Sequence, residues 1–379
     1  MTIYFVAGEA SGDNHGAALM SSLRKLDGGL QFAGRGGLQM RTIGGKSVTD
    51  WLDEAAVLGL WEVIKKYGYF RKQFRETLTS IREIKPNAVV LIDYPGFNLR
   101  LARALRKQLP NQKIIYYISP QVWAWNRGRI EKMAGFLDLM LCIFPFEADL
   151  YNKSGLRTEF VGHPMIDRLR PFKMEVERDA DVIGLFPGSR KREVRKILPI
   201  LFATANQLIK SERNMRFEIA AASTDLAEQI SNMLDQSLVN QESVTGRQVF
   251  QIIVGDTAGI MQRALVGIVA SGSATLEAAY FRLPFVLVYK VAWPTYAAAR
   301  MVVKVDYLGM PNVLANKRIV HEFIQHEARP RAIAAEVLRL INDASARKEM
   351  ISEFDSVIAE LGEGGASDRA ARAILDELG

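Results

Sequence analysis

The sequence contains little of the chemistry that supports disulfides or bound metals. Of its 379 residues only one is a cysteine, Cys142, and it lies inside the apolar run 139–144. A single cysteine excludes an intramolecular disulfide, and a thiolate metal site needs several cysteines. The four histidines, at positions 15, 163, 321 and 326, lack the spacing of metal ligands. We therefore expect a core cysteine in a reducing compartment and no metal site.

The sequence also lacks long apolar segments. It begins with a predicted strand over 3–7, without a basic segment that leads into an apolar one, so no export signal is expected. Charged residues interrupt the longest apolar runs well short of the length that crosses a bilayer. Together these features predict a protein that is made and kept in the cytosol.

Acidic residues are fewer than basic ones. The chain has 49 Lys and Arg against 42 Asp and Glu, which gives a net charge of +7. The basic residues cluster over 65–75 and 190–196. Such an excess indicates an anionic partner, namely nucleic acid, a phosphorylated substrate or an anionic membrane. Because no nucleic-acid-binding motif accompanies the charge, we expect no nucleic-acid partner.

Short apolar runs alternate with amphipathic helical segments along most of the chain. Near-continuous apolar strands separated by helices are typical of parallel sheets with helices on both faces. The alternation pauses over 162–178, which contains two prolines, and the last 34 residues have a purely helical pattern. The predicted strands span 3–7, 88–92, 114–118, 139–144, 182–186, 217–222, 250–254, 264–270 and 285–289.

This pattern predicts an α/β protein with two doubly wound, Rossmann-like domains facing each other across a cleft. We expect the first domain over 1–165, the second over 166–345, and C-terminal helices over 346–379 that pack back toward the first domain. In doubly wound sheets, ligands bind at the carboxyl ends of the strands. The residues that follow the predicted strands are therefore the candidates for a functional site.

Two turns of small residues suggest a site for a nucleotide sugar. Pro187–Arg190 follows the predicted strand 182–186, and Ser271–Glu277 follows 264–270. Between a strand and a helix, such a turn offers unpaired backbone N–H groups to an anion. Arg190 adds a positive charge, and Glu277 can accept hydrogen bonds from a sugar diol. Either turn alone could be an ordinary capped helix start, but the two together favour a ligand.

Two further strand ends carry acidic residues. Gly8–Asp13 follows the first strand, but its glycine spacing differs from the dinucleotide-binding fingerprint, so it either caps a helix or lines a ligand. Asp93 directly follows the strand 88–92 and precedes a Pro-Gly turn. A carboxylate there can act as a general base on a substrate hydroxyl, or it can cap the turn.

The segment 57–75 combines an aromatic stripe with cations. Its apolar residues follow helical spacing, and lysines and arginines lie between them. This pattern fits an interfacial helix on an anionic membrane. It fits equally a helix that faces the protein core while its lysines extend to solvent. The pattern alone leaves both interpretations open.

Six segments considered together resemble one family. They are Ala7–Asp13, Asp93–Asn98, Ser119–Trp125, Val161–Pro164, Pro187–Arg190 and Leu308–Asn312. In identity and order they are similar to the bacterial lipid A disaccharide synthases, from the first strand past residue 320. The resemblance implies an inverting glycosyltransferase of the GT-B type that makes a β-1,6 disaccharide 1-phosphate in lipopolysaccharide biosynthesis. The implied donor is UDP-2,3-diacylglucosamine, and the implied acceptor is 2,3-diacylglucosamine 1-phosphate.

The resemblance also implies residue roles, and it implies neither a cofactor nor a metal. Asp93 is expected as the base, and Arg190 as the residue that stabilises the departing UDP. The expected acceptor-binding residues are Ser11, Gly12, Asp13 and Asn98. The expected UDP-binding residues are Gly188, Ser189, Arg190, Ser273, Thr275, Glu277 and Asn312. Tyr94 stands where the family often has a smaller residue, which puts the acceptor contacts nearby in doubt.

The same resemblance implies that the segment 57–75 meets a membrane. The expected contacts are Trp61, Ile64, Lys65, Lys66, Tyr67, Phe70, Arg71, Lys72 and Phe74. We accordingly expect a protein attached peripherally to the cytoplasmic face of the inner membrane. Two alternatives stay open: another GT-B enzyme on a UDP-sugar, such as a peptidoglycan glycosyltransferase or a UDP-N-acetylglucosamine epimerase, and a non-enzymatic binding module.

Overall fold

The computed structural model describes residues 1–52, 67–125, 128–210, 214–239, 247–293, 296 and 305–379. The chain separates into two compact units, one formed by 1–167 together with 361–379 and the other by 168–360. The change of unit therefore falls inside the proline-containing segment 162–178. The helical segment 346–379 is divided, because its first part belongs to the second unit and only its last part to the first.

The first unit is built on parallel strands with helices between them. Its strands are β1 (Thr2–Ala7), β2 (Gln31–Gly36), β3 (Val48–Asp50), β4 (Ala88–Ile92), β5 (Lys113–Tyr117), β6 (Leu139–Cys142) and β7 (Thr158–Phe160). Its helices up to the change of unit are α1 (Ala10–Leu26), α2 (Leu38–Gly44), α3 (Tyr67–Ile84), α4 (Pro95–Gln108), α5 (Val122–Trp125), α6 (Gly128–Ala134), α7 (Pro145–Asn152) and α8 (Pro164–Leu169). The strand order is β3-β2-β1-β4-β5-β6-β7.

The second unit repeats the arrangement. Its strands are β8 (Asp179–Phe186), β9 (Arg216–Ala221), β10 (Phe250–Val254), β11 (Ala264–Ala270), β12 (Phe285–Tyr289) and β13 (Glu322–Ile324). Its helices are α9 (Lys191–Ile209), α10 (Thr224–Val239), α11 (Thr257–Arg263), α12 (Ser273–Tyr280), α13 (Met310–Ala315), α14 (Pro330–Asn342) and α15 (Ala344–Glu360). The strand order is β10-β9-β8-β11-β12-β13, and all pairings are parallel.

Burial explains why these segments form strands. All five residues of β4 are fully buried. The β1 residues Ile3 to Ala7 are also buried, and only Tyr4 is slightly exposed. Both strands are central, and helices cover both of their faces. The last helix, α16 (Ala366–Leu378), completes the first unit. It places Ala370, Ala371 and Ile374 in the same core cluster as β1 and β4.

The predicted α/β class with two doubly wound units is confirmed. The structure adds four strands that the apolar runs did not predict, namely β2 and the three-residue strands β3, β7 and β13. Among the described residues, no helix has both the length and the apolar character needed to span a bilayer.

The topology brings four strand ends together in pairs. In each sheet the chain reverses its winding direction between two neighbouring strands, β1 and β4 in the first unit and β8 and β11 in the second. Ligands of doubly wound proteins bind outside the carboxyl ends of the strands at this reversal. The predicted site segments Gly8–Asp13, Asp93–Asn98, Pro187–Arg190 and Ser271–Glu277 follow these four strands directly.

Candidate active site

Asp93 lies at the reversal point of the first sheet, in a strained backbone. Asp93 and Tyr94 have φ values of 44° and 50°, a left-handed conformation that costs on the order of 1–3 kcal/mol per non-glycine residue. Three hydrogen bonds hold Asp93 there. Its N–H donates to the Tyr117 carbonyl at 3.0 Å, and its carbonyl accepts from Tyr116 Oη at 2.5 Å and from Asn98 Nδ2 at 2.8 Å.

The electrostatic surroundings of Asp93 suit a proton acceptor. Burial, and secondarily the negative charge of Glu9, raise its pKa to about 6, although a backbone hydrogen bond from Tyr94 opposes the shift. Such a carboxyl is mostly ionised at neutral pH and still binds a proton more strongly than an exposed aspartate does. The same two causes raise the pKa of Tyr94 to about 12, so the phenol stays protonated.

Four aromatic side chains pack beside Asp93. The Phe97 ring centroid lies 5.1 Å from that of Trp51, 5.7 Å from that of Phe74 and 6.2 Å from that of Tyr94. The Trp51 indole donates from Nε1 to the Ala7 carbonyl at 2.7 Å, which ties the cluster to the end of β1. This aromatic cluster of Trp51, Phe74, Tyr94 and Phe97 therefore packs on the loop that carries Asp93.

Glycine is needed at position 8, because a ring of the aromatic cluster occupies the space that a side chain would fill. A Cβ atom at this position would lie 2.2 Å from Cδ1 of Tyr94, closer than two carbon atoms can approach. The ring of Tyr94 therefore packs directly on the backbone that follows β1. This contact joins the Gly8–Asp13 segment to the Asp93 loop.

Two of the predicted acceptor-binding residues have structural roles. The Asp13 carboxylate is buried and caps α2, because it accepts from the backbone N–H groups of Gly37 at 2.7 Å, Gln39 at 2.9 Å and Met40 at 3.0 Å. Asn98 is fully buried, and its amide donates to the carbonyls of Val6, Ile92 and Asp93. Asp13 therefore fixes the start of α2, whereas Asn98 holds the backbone where β1 and β4 end, and neither side chain faces solvent.

The other two predicted acceptor-binding residues differ from each other. Ser11 is exposed in the first turn of α1, where its hydroxyl can reach a ligand. Gly12 is buried, and a Cβ atom there would lie 3.4 Å from Cβ of Ala7. Gly12 thus lets α1 pack closely on β1, and of the four residues Ser11 alone is exposed.

The first turn of the second unit offers an exposed anion site. Arg190 is the N-cap residue of α9, and Ser189 and Arg190 are both exposed. Gly188 has a φ of 105°, a conformation that glycine adopts without strain. The Arg190 guanidinium pairs with Glu193 at 3.0 Å while 67% of its side chain stays exposed. A helix N-terminus with a free face and an adjacent guanidinium is favourable for a phosphate.

In the second turn Ser273 is exposed and Glu277 is partly exposed, whereas Thr275 is buried. Ser273 is exposed at the start of α12. Thr275 is fully buried, and its hydroxyl donates to the Gly272 carbonyl at 2.8 Å, so it closes the turn instead of facing a ligand. The Glu277 carboxylate pairs with Arg168 Nη2 at 2.6 Å, and 16% of the Glu277 side chain is exposed. No feature of the sequence identifies Arg168 as the partner of Glu277.

Asn312 is a further predicted residue with a structural role. It is fully buried in the second unit and donates from Nδ2 to the Val320 carbonyl and to Glu322, both at 2.8 Å. Its Oδ1 accepts from the backbone N–H groups of Ile319 and Val320. These bonds join α13 to the edge strand β13 and to the residues just before it, so they use the polar atoms that were predicted to contact UDP.

The predicted membrane contacts are only partly described. Trp61, Ile64, Lys65 and Lys66 lie outside the described residues, and so does the side chain of Tyr67. Phe74 of α3 is half-buried and packs on Phe97, so it belongs to the aromatic cluster and not to a surface stripe. Phe70 is half-buried against Tyr69, with ring centroids 5.5 Å apart. Arg71 and Lys72 are exposed, and Lys72 lies 3.8 Å from Glu76.

A buried carboxyl anchors the segment that follows β5. Glu147 of α7 accepts from the Trp123 indole Nε1 at 2.9 Å, and Tyr151 Oη donates to the Pro120 carbonyl at 2.8 Å. Burial raises the pKa of Glu147 to about 7. Trp123 therefore has a packing role. Among the residues that the structure describes, no three His, Cys, Asp or Glu side chains group as metal ligands.

Comparison with known proteins identifies relatives over the whole chain. The family model described as lipid-A-disaccharide synthetase matches residues 3–374. The lipid-A-disaccharide synthase of Geobacter sulfurreducens is 37% identical, with 100% of this chain and 97% of the relative covered. That of Syntrophus aciditrophicus is also 37% identical, with 97% and 96% covered.

Solved structures share the fold at low sequence identity. A putative UDP-N-acetylglucosamine 2-epimerase from Listeria monocytogenes matches with a TM-score of 0.62 and 13% identity, covering 99% of this chain and 96% of that one. MurG from Acinetobacter baumannii matches with a TM-score of 0.58 and 13% identity, covering 99% of both chains. At this identity the likeness extends to the GT-B fold alone.

Proposed function

The chain belongs to the lipid-A-disaccharide synthetase family of glycosyltransferases, and on that premise we propose its substrates and the roles of its residues. The donor is UDP-2,3-diacylglucosamine, and the acceptor is 2,3-diacylglucosamine 1-phosphate. The 6-hydroxyl oxygen of the acceptor attacks the anomeric carbon of the donor. The C–O bond to the diphosphate breaks, and the products are UDP and a β-1,6-linked disaccharide 1-phosphate.

Asp93 is the general base of this reaction. Inversion at the anomeric carbon needs one displacement and one proton acceptor, and it needs no covalent intermediate. The single observation that supports this role most strongly is the position of Asp93 directly after β4, at the reversal point of the first sheet, in a loop held by three hydrogen bonds. Burial there raises its pKa to about 6. The proton of the acceptor hydroxyl passes to the Asp93 carboxylate as the new bond forms.

The second unit holds the UDP group. The half-buried Gly188, the exposed Ser189 and the N-terminus of α9 bind the diphosphate through N–H and O–H donors. Arg190 stabilises the charge that develops as UDP leaves. Ser273 adds a hydroxyl donor. Glu277 accepts hydrogen bonds from the ribose hydroxyls. Because Arg190 and backbone N–H groups neutralise the diphosphate, the mechanism uses no metal.

We also propose that the protein acts at the cytoplasmic face of the inner membrane, where acylated substrates reside. Arg71 and Lys72 are exposed on α3, next to the half-buried Phe70. Cations of this kind attract anionic lipids. The alternative of another UDP-sugar enzyme of the GT-B type, such as an epimerase, rests on likeness of fold alone.

Product analysis tests the proposed function. The enzyme is incubated with both diacyl sugars, and the lipid fraction is analysed by mass spectrometry and by NMR of the new linkage. We expect a tetraacyl disaccharide 1-phosphate with a β-1,6 linkage and one UDP for each disaccharide. Release of UDP without a disaccharide, or conversion of the UDP-sugar to an epimer, would contradict the proposal.

A further inference from the structure

The basic segment 190–196 contains more cations than a diphosphate site uses. Beside Arg190, a cavity of about 450 Å³ is lined by Arg192, Arg195 and Lys196 of α9 and by residues just after β12. The latter are Lys290, Val291 and Ala292. All four cations of the lining are exposed. Glu193, the one acidic residue of the lining, already pairs with Arg190 at 3.0 Å.

This cavity is strongly positive. Arg195, Lys196 and Lys290 form no ion pair with any residue in the described part of the chain. Lys191, which precedes them, faces away and pairs with Asp225 at 3.2 Å. Like charges concentrated around one opening repel each other unless an anion occupies it. The lining therefore favours an anionic group, with Val291 and Ala292 as apolar neighbours.

An exposed aromatic pair continues the surface beyond the cavity. Trp293 follows Ala292 directly, and 69% of its surface is exposed, which is unusual for so large an apolar side chain. Its ring stacks on that of Tyr296 with centroids 5.6 Å apart. Tryptophan and tyrosine are enriched where proteins meet the headgroup region of a bilayer, because their rings are apolar and carry a polar edge.

We propose that this basic–aromatic surface, formed by Arg192, Arg195, Lys196, Lys290, Trp293 and Tyr296, binds the anionic phospholipid headgroups of a membrane. The cations contact lipid phosphates, and the two rings lie at headgroup depth. Charge complementarity supports a membrane, since an anionic bilayer presents many phosphates to four cations at once. The surface belongs to the second unit and is distinct from the contact proposed for α3.

A fluorescent label at the surface tests the proposal. Cys142 is fully buried and burial raises the pKa of its thiol, so it reacts poorly, and a second cysteine can be labelled selectively. Ala292→Cys in the full chain, labelled with an environment-sensitive dye, keeps Trp293 in place. We expect the dye emission to rise and shift to the blue with phosphatidylglycerol vesicles, to stay unchanged with phosphatidylcholine vesicles, and to fall as salt is added.

Charge reversal with a matched control locates the contact. Lys196→Glu in the labelled protein should raise the lipid concentration at half-saturation about thirty-fold, since it removes one cation and adds one anion. Lys348→Glu reverses one exposed charge on α15 of the same unit and should leave that concentration nearly unchanged. Circular dichroism and thermal melting verify that both variants fold.

Three results would overturn the proposal. The first is an unchanged dye signal while the protein floats with the vesicles, because the contact then lies elsewhere. The second is an equal effect of the two charge reversals, which would indicate non-specific attraction. The third is the same dye response to UDP, or to monomeric short-chain phosphatidylglycerol, as to vesicles, because the cavity would then bind a soluble anion. None of these readouts depends on turnover, so a failure here is distinguishable from a failure of the proposed reaction.

Discussion

The charged residues at the two reversal points have different surroundings. In the first unit Asp93 is largely buried, its backbone is strained, and its pKa is raised to about 6. In the second unit Arg190 is two-thirds exposed and Glu277 has an ion-pair partner that is itself exposed. One fold thus carries a carboxyl with a raised pKa at one site and ion-paired charges at the other.

The two kinds of surroundings suit two different roles, proton transfer and ligand binding. Desolvation and a nearby negative charge raise the proton affinity of a carboxyl, and they are useful where a proton moves. Charges that bind an anion or a diol need no pKa shift, but they must be accessible and kept in place while the ligand is absent. Glu193 and Arg168 serve that purpose, because each pairs with a predicted ligand-binding residue.

The largest effect is expected from Asp93→Asn. The substitution removes the proton acceptor but keeps the size of the side chain, so turnover should fall by about two to four orders of magnitude. UDP affinity, measured by calorimetry, should stay nearly the same because the nucleotide binds the second unit. Near-normal turnover in this variant would show that Asp93 is a structural residue. The two sites would then not differ in the way described above.

Arg190→Ala should produce a smaller loss, shared between binding and chemistry. A charge-assisted hydrogen bond contributes about 1.5–3 kcal/mol, so UDP should bind roughly 10 to 150 times more weakly. The rate of a single turnover should fall as well, because the same charge stabilises the departing diphosphate. Unchanged UDP affinity would place the diphosphate away from this turn.

Arg168→Gln is expected to act on ribose recognition only. The pair with Glu277 is partly exposed and contributes about 0–1 kcal/mol, so the UDP affinity should fall at most about five-fold. The affinity for 2′-deoxy-UDP should change less, because that ligand lacks one hydroxyl that Glu277 accepts from. Arg282→Gln is a matched control, since Arg282 is also 56% exposed and pairs with Asp355 at 2.6 Å. Equal losses for both nucleotides would show that Arg168 does not act through Glu277.

Chelation should have the smallest effect. Because Arg190 and the turn N–H groups neutralise the diphosphate in this account, activity should persist in EDTA without added divalent ions. Turnover that is lost with chelator and restored by magnesium or manganese would contradict the metal-free second site.

The central strands and the strand-end motifs were predictable because their signals are local. Runs such as Ala88–Ile92 are apolar throughout, since both faces of a central strand are buried. The strands β2, β3, β7 and β13 were not predictable in this way. β2 contains Gly34, Arg35 and Gly36, and the other three have only three residues each, too few for a period to appear.

The residue types at the strand ends predicted the location of the candidate site. They were a poorer guide to the role of each side chain. Asp13, Asn98, Thr275 and Asn312 are polar and occur in the motifs, yet each is buried and bonded within its own unit. For Asp13 and Asn312 the partners include backbone groups that lie outside their motifs, such as those of Gly37 and Val320. Sequence spacing does not encode those partners, so binding and capping residues looked alike.

The pH dependence of kcat/KM in the wild type and in Glu9→Gln tests the central claim most directly. Only the ionised Asp93 accepts a proton, so the rate should fall as the pH drops through about 6. Glu9→Gln removes a negative charge that raises this pKa, so the acidic limb should move to lower pH while the plateau changes little. An acidic limb that is absent, or that stays in place in Glu9→Gln, would contradict the assignment of Asp93 as the base.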